Sequence, residues 1–172
     1  MSSPARSQLF GDLDVSVELD APVGAMTWFG IGGKADALVH PHTEDALVTL
    51  VARCAQSLVP IRVLGKGANL LVDDDGVDGI VLLLDDPIFR ELKFNRKGQV
   101  QRLHAMAGAD LFKTVNELAR QGLSGMEQVA GIPGTIGGGL RMNAGGTYGC
   151  IGDNVETVQC CSMSGELLSY DA

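Results

Sequence analysis

Eight glycines fall within the twenty residues from Ala130 to Gly149, AGIPGTIGGGLRMNAGGTYG, and scarcely a charge interrupts them. Glycine costs conformational entropy on folding. Such a density is useful where the backbone needs positive φ, or where another group must approach the peptide units with no Cβ between. A surface of bare amides suits a phosphate or a planar ring. A second, shorter loop, Gly65-Lys66-Gly67-Ala68-Asn69, stands between the apolar runs IRVL and LLV and makes the same demand. Two such loops on one chain point to a single large ligand with a phosphate-rich part.

The shorter loop is not an ordinary dinucleotide turn. Gly65-Lys66-Gly67-Ala68-Asn69-Leu70 carries the first two glycines of GxGxxG but leucine at the third, and LLVDDD rather than a helix follows. No GxxxxGK[ST] run occurs, which argues against a P-loop nucleotide hydrolase. Two readings stay open from the residues alone. One is a nest of amides that holds a pyrophosphate, with Lys66 and the Asn69 side chain adding donors; the other is a tight crossover between buried strands.

Composition narrows the ligand. A hydrophobic share of 45% against 20% charged marks a globular chain, and no run approaches the roughly 18 apolar residues of a membrane helix. The N-terminus shows no secretory-type apolar stretch, so a cytoplasmic protein is expected. A net charge of -8 argues against a nucleic-acid partner, which needs a basic face to displace counterions. Cys54, Cys150, Cys160 and Cys161 lack the paired spacing of a zinc site and read as buried thiols, and His40, His42 and His104 show no spacing for a metal or a triad. No metal is expected.

The elements that must position the loops follow from period and punctuation. Ala35 to Pro41 alternates as a strand. Thr43 then caps a helix to Gln56 whose Ala46, Leu47, Leu50, Val51 and Cys54 share one face, and residues 61 to 64 form the next strand. Strand, helix, strand within about thirty residues predicts a βαβ unit with parallel strands, which puts the Gly65 loop at the carboxyl end of its strand. IVLLL reads as a buried strand, and residues 85 to 101 as a hairpin turning at 95 to 98. Val100 to Ala107 returns as a strand. Asp110 caps a second helix ending near Gly122, and Val155 to Met163 alternates as a strand before a turn at 164 to 166. Arg141 alternates with Leu140 and Met142, as a strand residue facing either a substrate or solvent. Tyr148 either stacks on a ligand or packs in a turn.

Three blocks in order, Trp28-Phe29-Gly30-Ile31-Gly32-Gly33, LGKGANLLVDDDGVDGIVL and GMEQVAGIPGTIGGGLRMNAGGTYG, resemble the UDP-N-acetylenolpyruvoylglucosamine reductases of peptidoglycan synthesis over roughly residues 24 to 168. The resemblance implies an α+β fold of the vanillyl-alcohol-oxidase (PCMH) type, with two lobes clasping an FAD. The first lobe would be residues 1 to 84, with an N-terminal arm to about 23, and the second 85 to 172. It puts Gly65, Lys66, Gly67, Ala68, Asn69 and Leu70 on the FAD pyrophosphate. Ala130, Gly131, Ile132, Pro133, Gly134, Thr135, Gly137 and Gly138 would pass along the flavin, with Asn143, Ala144 and Gly145 completing that wall. Arg141 and Tyr148, from the reading of the residues themselves, are the candidate substrate contacts. None of the three histidines follows a glycine pair, so the flavin is expected to be non-covalent.

The implied chemistry is reduction of the flavin by NADPH, then hydride transfer to the enolpyruvyl group of a UDP-sugar to give UDP-N-acetylmuramate. The family's substrate lobe, with its arginine in a YR motif, its proton-donating serine and a late glutamate, would lie beyond Ala172. No catalytic residue is therefore expected within this chain. A free-standing FAD module and the flavin subunit of another oxidoreductase are the alternatives. The residues say nothing of oligomeric state.

Overall fold

The computed structural model describes residues 9–97 and 100–171. Residues up to Leu84 together with Thr157–Asp171 form one compact unit, and Asp85–Glu156 form a second. The expected second lobe from 85 to 172 is corrected accordingly: its last hairpin belongs to the first unit. Cys161 packs on that unit's core, and Gly165 sits so close to the helix at Val48 and Ala52 that a Cβ there would come within 2.7 Å of the Ala52 Cβ.

In the first unit, β1 (Val15–Ala21), β2 (Ala35–Pro41), β3 (Ile61–Leu64) and β4 (Val77–Leu83) make one sheet in the order β1-β2-β4-β3. β1 is antiparallel to β2, while β2 and β3 each run parallel to β4. The βαβ expectation is thus refined. Its two strands are parallel, but β4 lies between them, because β4 is the strand that can be buried on both faces: Ile80, Val81 and Leu82 are all in the core. The N-terminal arm is not free of structure, since residues 15 to 21 form β1, an edge strand with most side chains exposed.

Helix α1 (Glu44–Gln56) covers one face. Thr43 accepts from the Ala46 amide at 3.1 Å, and Leu50, Val51 and Cys54 meet Ala37, Val39, Ile61, Ile80 and Leu82. On the other face Ala21, Val23, Leu38, Leu64 and Val81 form a second cluster. The hairpin of β9 (Thr157–Cys161) and β10 (Leu167–Asp171) completes the unit.

The second unit opens with the hairpin of β5 (Leu92–Lys97) and β6 (Val100–Ala105), paired from Leu92 with Ala105 to Lys97 with Val100. Residues 95 to 97 of the expected turn belong to β5, and residue 98 lies outside the described residues. Helix α2 (Leu111–Arg120) starts at Asp110, whose side chain accepts from the Lys113 amide at 2.8 Å. A short helix α3 (Ile136–Arg141) then leads to a small hairpin, β7 (Gly145–Gly146) with β8 (Gly149–Cys150). Ala109, Leu111, Val129, Ile136 and Ile151 form its core. Arg141, expected on a strand, ends α3 instead: Thr135 caps the run and the local amides close into helical turns, which three glycines in succession had hidden.

Candidate functional site

In the first unit the chain leaves β3 at Leu64 and enters the loop 65 to 70 at the carboxyl end of the parallel strands, where α/β sheets place ligands. A second segment runs beside it. The Trp28 amide donates to the Gly67 carbonyl at 3.1 Å, Gly32 abuts the Val72 carbonyl, and the Gly33 amide donates to the Asp73 carbonyl at 2.7 Å. Residues 28 to 33 and 67 to 73 therefore lie side by side in the same direction. Among the described residues, the amides of Gly67, Ala68 and Asn69 donate to nothing within the chain. Lys66, Asn69 and Leu70 are exposed, Gly65 and Ala68 half-buried, and Gly67 buried.

Gly67 has φ +65°, and a Cβ on it would lie 2.7 Å from the Thr27 Cα. Its identity is set by packing as well as by whatever binds the loop. The same holds more strongly for Gly24, Gly32, Gly33 and Gly76, where added Cβ atoms would run into neighbouring backbone. These glycines belong to the frame of the site.

In the second unit the segment from Ala130 to Gly145 divides differently. The starts of α2 and α3 are joined: Leu111 donates to the Gly134 carbonyl at 3.1 Å, Ile136 to that of Ala109 at 2.8 Å and Gly137 to that of Ala107 at 2.8 Å. Thr135 Oγ1 accepts from Gly138 at 3.1 Å, Ala130 donates to Glu127, and Ile132 donates to Val129. The amides of Gly137 and Gly138 are thus committed internally. Those of Gly131, Gly134 and Thr135 are not, among the described residues, and Pro133 between them has none to offer. A Cβ at Gly131 (φ +81°) or Gly134 (φ +149°) would meet nothing within 4 Å, so these two glycines answer a backbone requirement and border open space.

Asn143, at φ +46°, accepts from the Gly152 amide at 3.2 Å through Oδ1, and Ala144 bonds through both its amide and its carbonyl. Gly145 is packed against Cys150. Arg141 is exposed in the last turn of α3, and Tyr148 stands 92% exposed in the two-residue turn between β7 and β8, so packing within this chain does not explain it.

Two carboxylates beside this segment serve the backbone. The Cys150 amide, then its thiol, donate to Asp153 and hold its carboxyl below the usual carboxylate range. Glu127 is held low by backbone amides, that of Gly125 at 2.7 Å among them. Two clefts border these segments. One of about 580 Å³ in the first unit is lined by Asp20, Asp36, Asp74, Asp75, Lys34 and the glycines at 30, 32 and 33. The other, of about 280 Å³ in the second unit, is lined largely by apolar residues such as Leu118, Leu123 and Met126. The acidic cleft disfavours phosphate, which leaves the bare amides of the two loops as the anion-binding candidates.

Sequence reasoning missed the aromatic part of this surface. Trp28 and Phe29 are 67% and 63% exposed beside the Gly67 loop. The signal was their position next to glycines that the fold packs tightly. Among the described residues, no helix is long and apolar enough to cross a membrane.

Comparison with known proteins points to one cofactor. The profile of a protein family described as FAD binding domain matches residues 35–171. The UDP-N-acetylenolpyruvoylglucosamine reductase of Listeria monocytogenes serotype 4a is 37% identical over 153 residues, 89% of this chain and 49% of that protein. The chain spans about half the length of the curated relatives it matches. The crystal structure of UDP-N-acetylenolpyruvylglucosamine reductase (MurB) from Thermus caldophilus superposes with a TM-score of 0.71 at 36% identity, covering 91% of this chain and 52% of that one. Cholesterol oxidase from B. sterolicum shares the fold at a TM-score of 0.69 and 20% identity, over 92% of this chain and 33% of that one. The fold is of the vanillyl-alcohol-oxidase type.

Proposed function

The chain belongs to the family of FAD-binding domains, and from that premise we propose that it is the FAD-binding part of an NADPH-dependent reductase. The complete enzyme would convert UDP-N-acetylglucosamine enolpyruvate to UDP-N-acetylmuramate for the peptidoglycan of a cell wall, in the cytoplasm. The observation that carries the reading is the pair of bare amide surfaces: Gly67, Ala68 and Asn69 in one unit, Gly131, Gly134 and Thr135 in the other. The first follows β3, and the second leads into α3, whose start is bonded to that of α2. Backbone amides left without a partner in the chain are what a pyrophosphate and the polar edge of a flavin require.

FAD, when bound, would carry hydride from NADPH to the enolpyruvyl double bond. This chain's task is to hold and orient it. Gly67 to Asn69 would bind the pyrophosphate, and Gly131 to Thr135 would pass along the ring. Asn143 would fix the far wall through its bond to Gly152. Attachment would be non-covalent: His40 lies on β2, His104 on β6, and His42 is bonded to Ser16 Oγ at 2.8 Å, none of them in a glycine loop. The UDP-sugar would be met by residues of the rest of the enzyme, with Arg141 and Tyr148 at its margin.

The test is to purify the protein, record the flavin absorbance and denature it. FAD released into the filtrate supports the proposal. Yellow colour retained on the polypeptide would show a covalent link, and a colourless protein that takes up no added FAD would refute the reading. Bleaching of bound flavin by NADPH, compared with and without the enolpyruvyl substrate, then examines the reductase assignment.

A further inference from the structure

The exposed aromatics at Trp28 and Phe29 are placed with unusual firmness. Beneath them Thr27 is buried and donates its hydroxyl to the Gly24 carbonyl at 2.8 Å; beside them the Trp28 amide is bonded to Gly67. Their segment is tied again at its far end, Gly33 to Asp73. Only 5% of this chain is aromatic, yet two neighbouring aromatics stand outside its core on a rigid segment, flanked by exposed Ile31 and Leu71. Large apolar side chains held out in water on a fixed backbone are poised for a flat partner, since little ordering remains to be done when it arrives. The FAD-binding family match begins at Ala35, so it does not reach this segment.

We propose that Trp28 and Phe29 form the shelf on which the adenine of FAD stacks, while its pyrophosphate lies on the amides of Gly67 to Asn69. The inference rests on the FAD-binding reading above and adds which half of the cofactor the first unit takes. A nucleoside diphosphate carries a planar base and two phosphates on one short ribose link, matching an aromatic shelf bonded to a nest of amides. The acidic cleft chooses between the two halves. Its lining shares Gly30, Gly32 and Gly33 with the shelf segment and adds Asp20, Asp36, Asp74 and Asp75. Adenine presents an amino donor and its ribose two hydroxyl donors, all welcome to carboxylates. A reduced flavin gathers negative charge at its pyrimidine end, which the same carboxylates would repel.

Trp28 is the sole tryptophan of the chain, so its emission reports this one place. Flavin-free protein is titrated with ADP, FMN and FAD, in the parent and in Trp28→Ala, Trp28→Phe and Phe29→Ala. ADP is expected to change the Trp28 emission of the parent. Trp28→Ala should weaken FAD and ADP by about tenfold, the scale of one lost base stack, and leave FMN unchanged, with Trp28→Phe recovering most of the affinity. The side chain is exposed, so melting of the flavin-free protein should not move; Phe29→Ala gives the same ligand pattern in an independent variant. Parental affinity for FAD and ADP in both alanine variants overturns the shelf while FAD binding itself stands. A loss confined to FMN and FAD, or an ADP titration with no effect on emission, overturns it as well. No FAD uptake by the parent removes both this inference and the function it rests on.

Discussion

Thr135 Oγ1 accepts the amide of Gly138 at 3.1 Å while the Thr135 carbonyl accepts that of Gly139 at 2.8 Å, so one residue closes the first turn of α3. The helix needs it. Three of its six residues are glycine, each about 0.5–1 kcal/mol poorer than alanine inside a helix. Thr135→Ala is expected to lower stability by about 0.5–2 kcal/mol in urea melts, with Thr135→Ser close to the parent. Amide exchange at Gly138 should quicken in the alanine variant alone. Equal melts for all three proteins would show that the cap contributes nothing.

The glycines separate by what surrounds them. At Gly67 (φ +65°) a Cβ would lie 2.7 Å from Thr27 Cα and 2.8 Å from the Met26 carbonyl, whereas at Gly131 (φ +81°) it would meet nothing. Gly67→Ala is expected to destabilise the flavin-free protein by more than the roughly 1–2 kcal/mol of left-handed backbone strain. Gly131→Asn should melt near the parent, because asparagine tolerates that conformation, yet bind FAD more weakly. Thermal melts of the apo protein beside FAD titrations decide the matter. A Gly131→Asn protein that loses stability but keeps its flavin affinity would reverse the assignment.

Much of the scaffold was legible because local rules agreed. Thr43 and the apolar face from Ala46 to Cys54 announced α1, Asp110 announced α2, and Ala35–Pro41 and Ile61–Leu64 were read at their observed bounds. What failed depends on distant partners. The place of β4 between β2 and β3, and the return of the last hairpin to the first unit through Gly165, have no local signature. β1 alternates Val15, Val17, Leu19 and Ala21, but its acidic neighbours and exposed edge obscured it. The candidate site was half legible. Glycine density located both loops, yet sequence cannot separate a glycine crowded by backbone, such as Gly33, from one facing open space, such as Gly134.

Cys54 gives the fold a limit at high pH. It is 1% exposed, between α1 and the sheet, and burial pushes its thiol up to about 11. An unfolded thiol titrates near 8.5. Because the folded value is raised, the folded state holds the proton more tightly. The resulting stability is complete below about pH 8.5 and is lost as pH rises toward 11. Urea midpoints should fall over that range in the parent and fall less in Cys54→Ala, whose midpoint at pH 7 is lowered by the lost packing. An identical alkaline slope in the two proteins would assign the loss to other groups.

Asn143 ends α3 in the left-handed region, at φ +46°, with its amide bonded to Leu140 at 3.1 Å and its side chain receiving the Gly152 amide at 3.2 Å. Two contributions are joined there, one of backbone and one of side chain, and two substitutions separate them. Glycine keeps the conformation and drops the side-chain bond, so Asn143→Gly should cost about 0.5–1.5 kcal/mol. Alanine gives up both. Asn143→Ala should cost that amount plus roughly 1–2 kcal/mol of strain, and it should melt below the glycine variant. Flavin titration adds a second axis: if Asn143 stands in the wall along the ring, both variants bind FAD more weakly than their melts alone explain, since the turn from Asn143 to Gly145 is then no longer fixed to Gly152. Alanine as stable as glycine would mean that the left-handed turn is not required. Full flavin affinity in both variants would remove Asn143 from the proposed wall and confine its role to closing the helix.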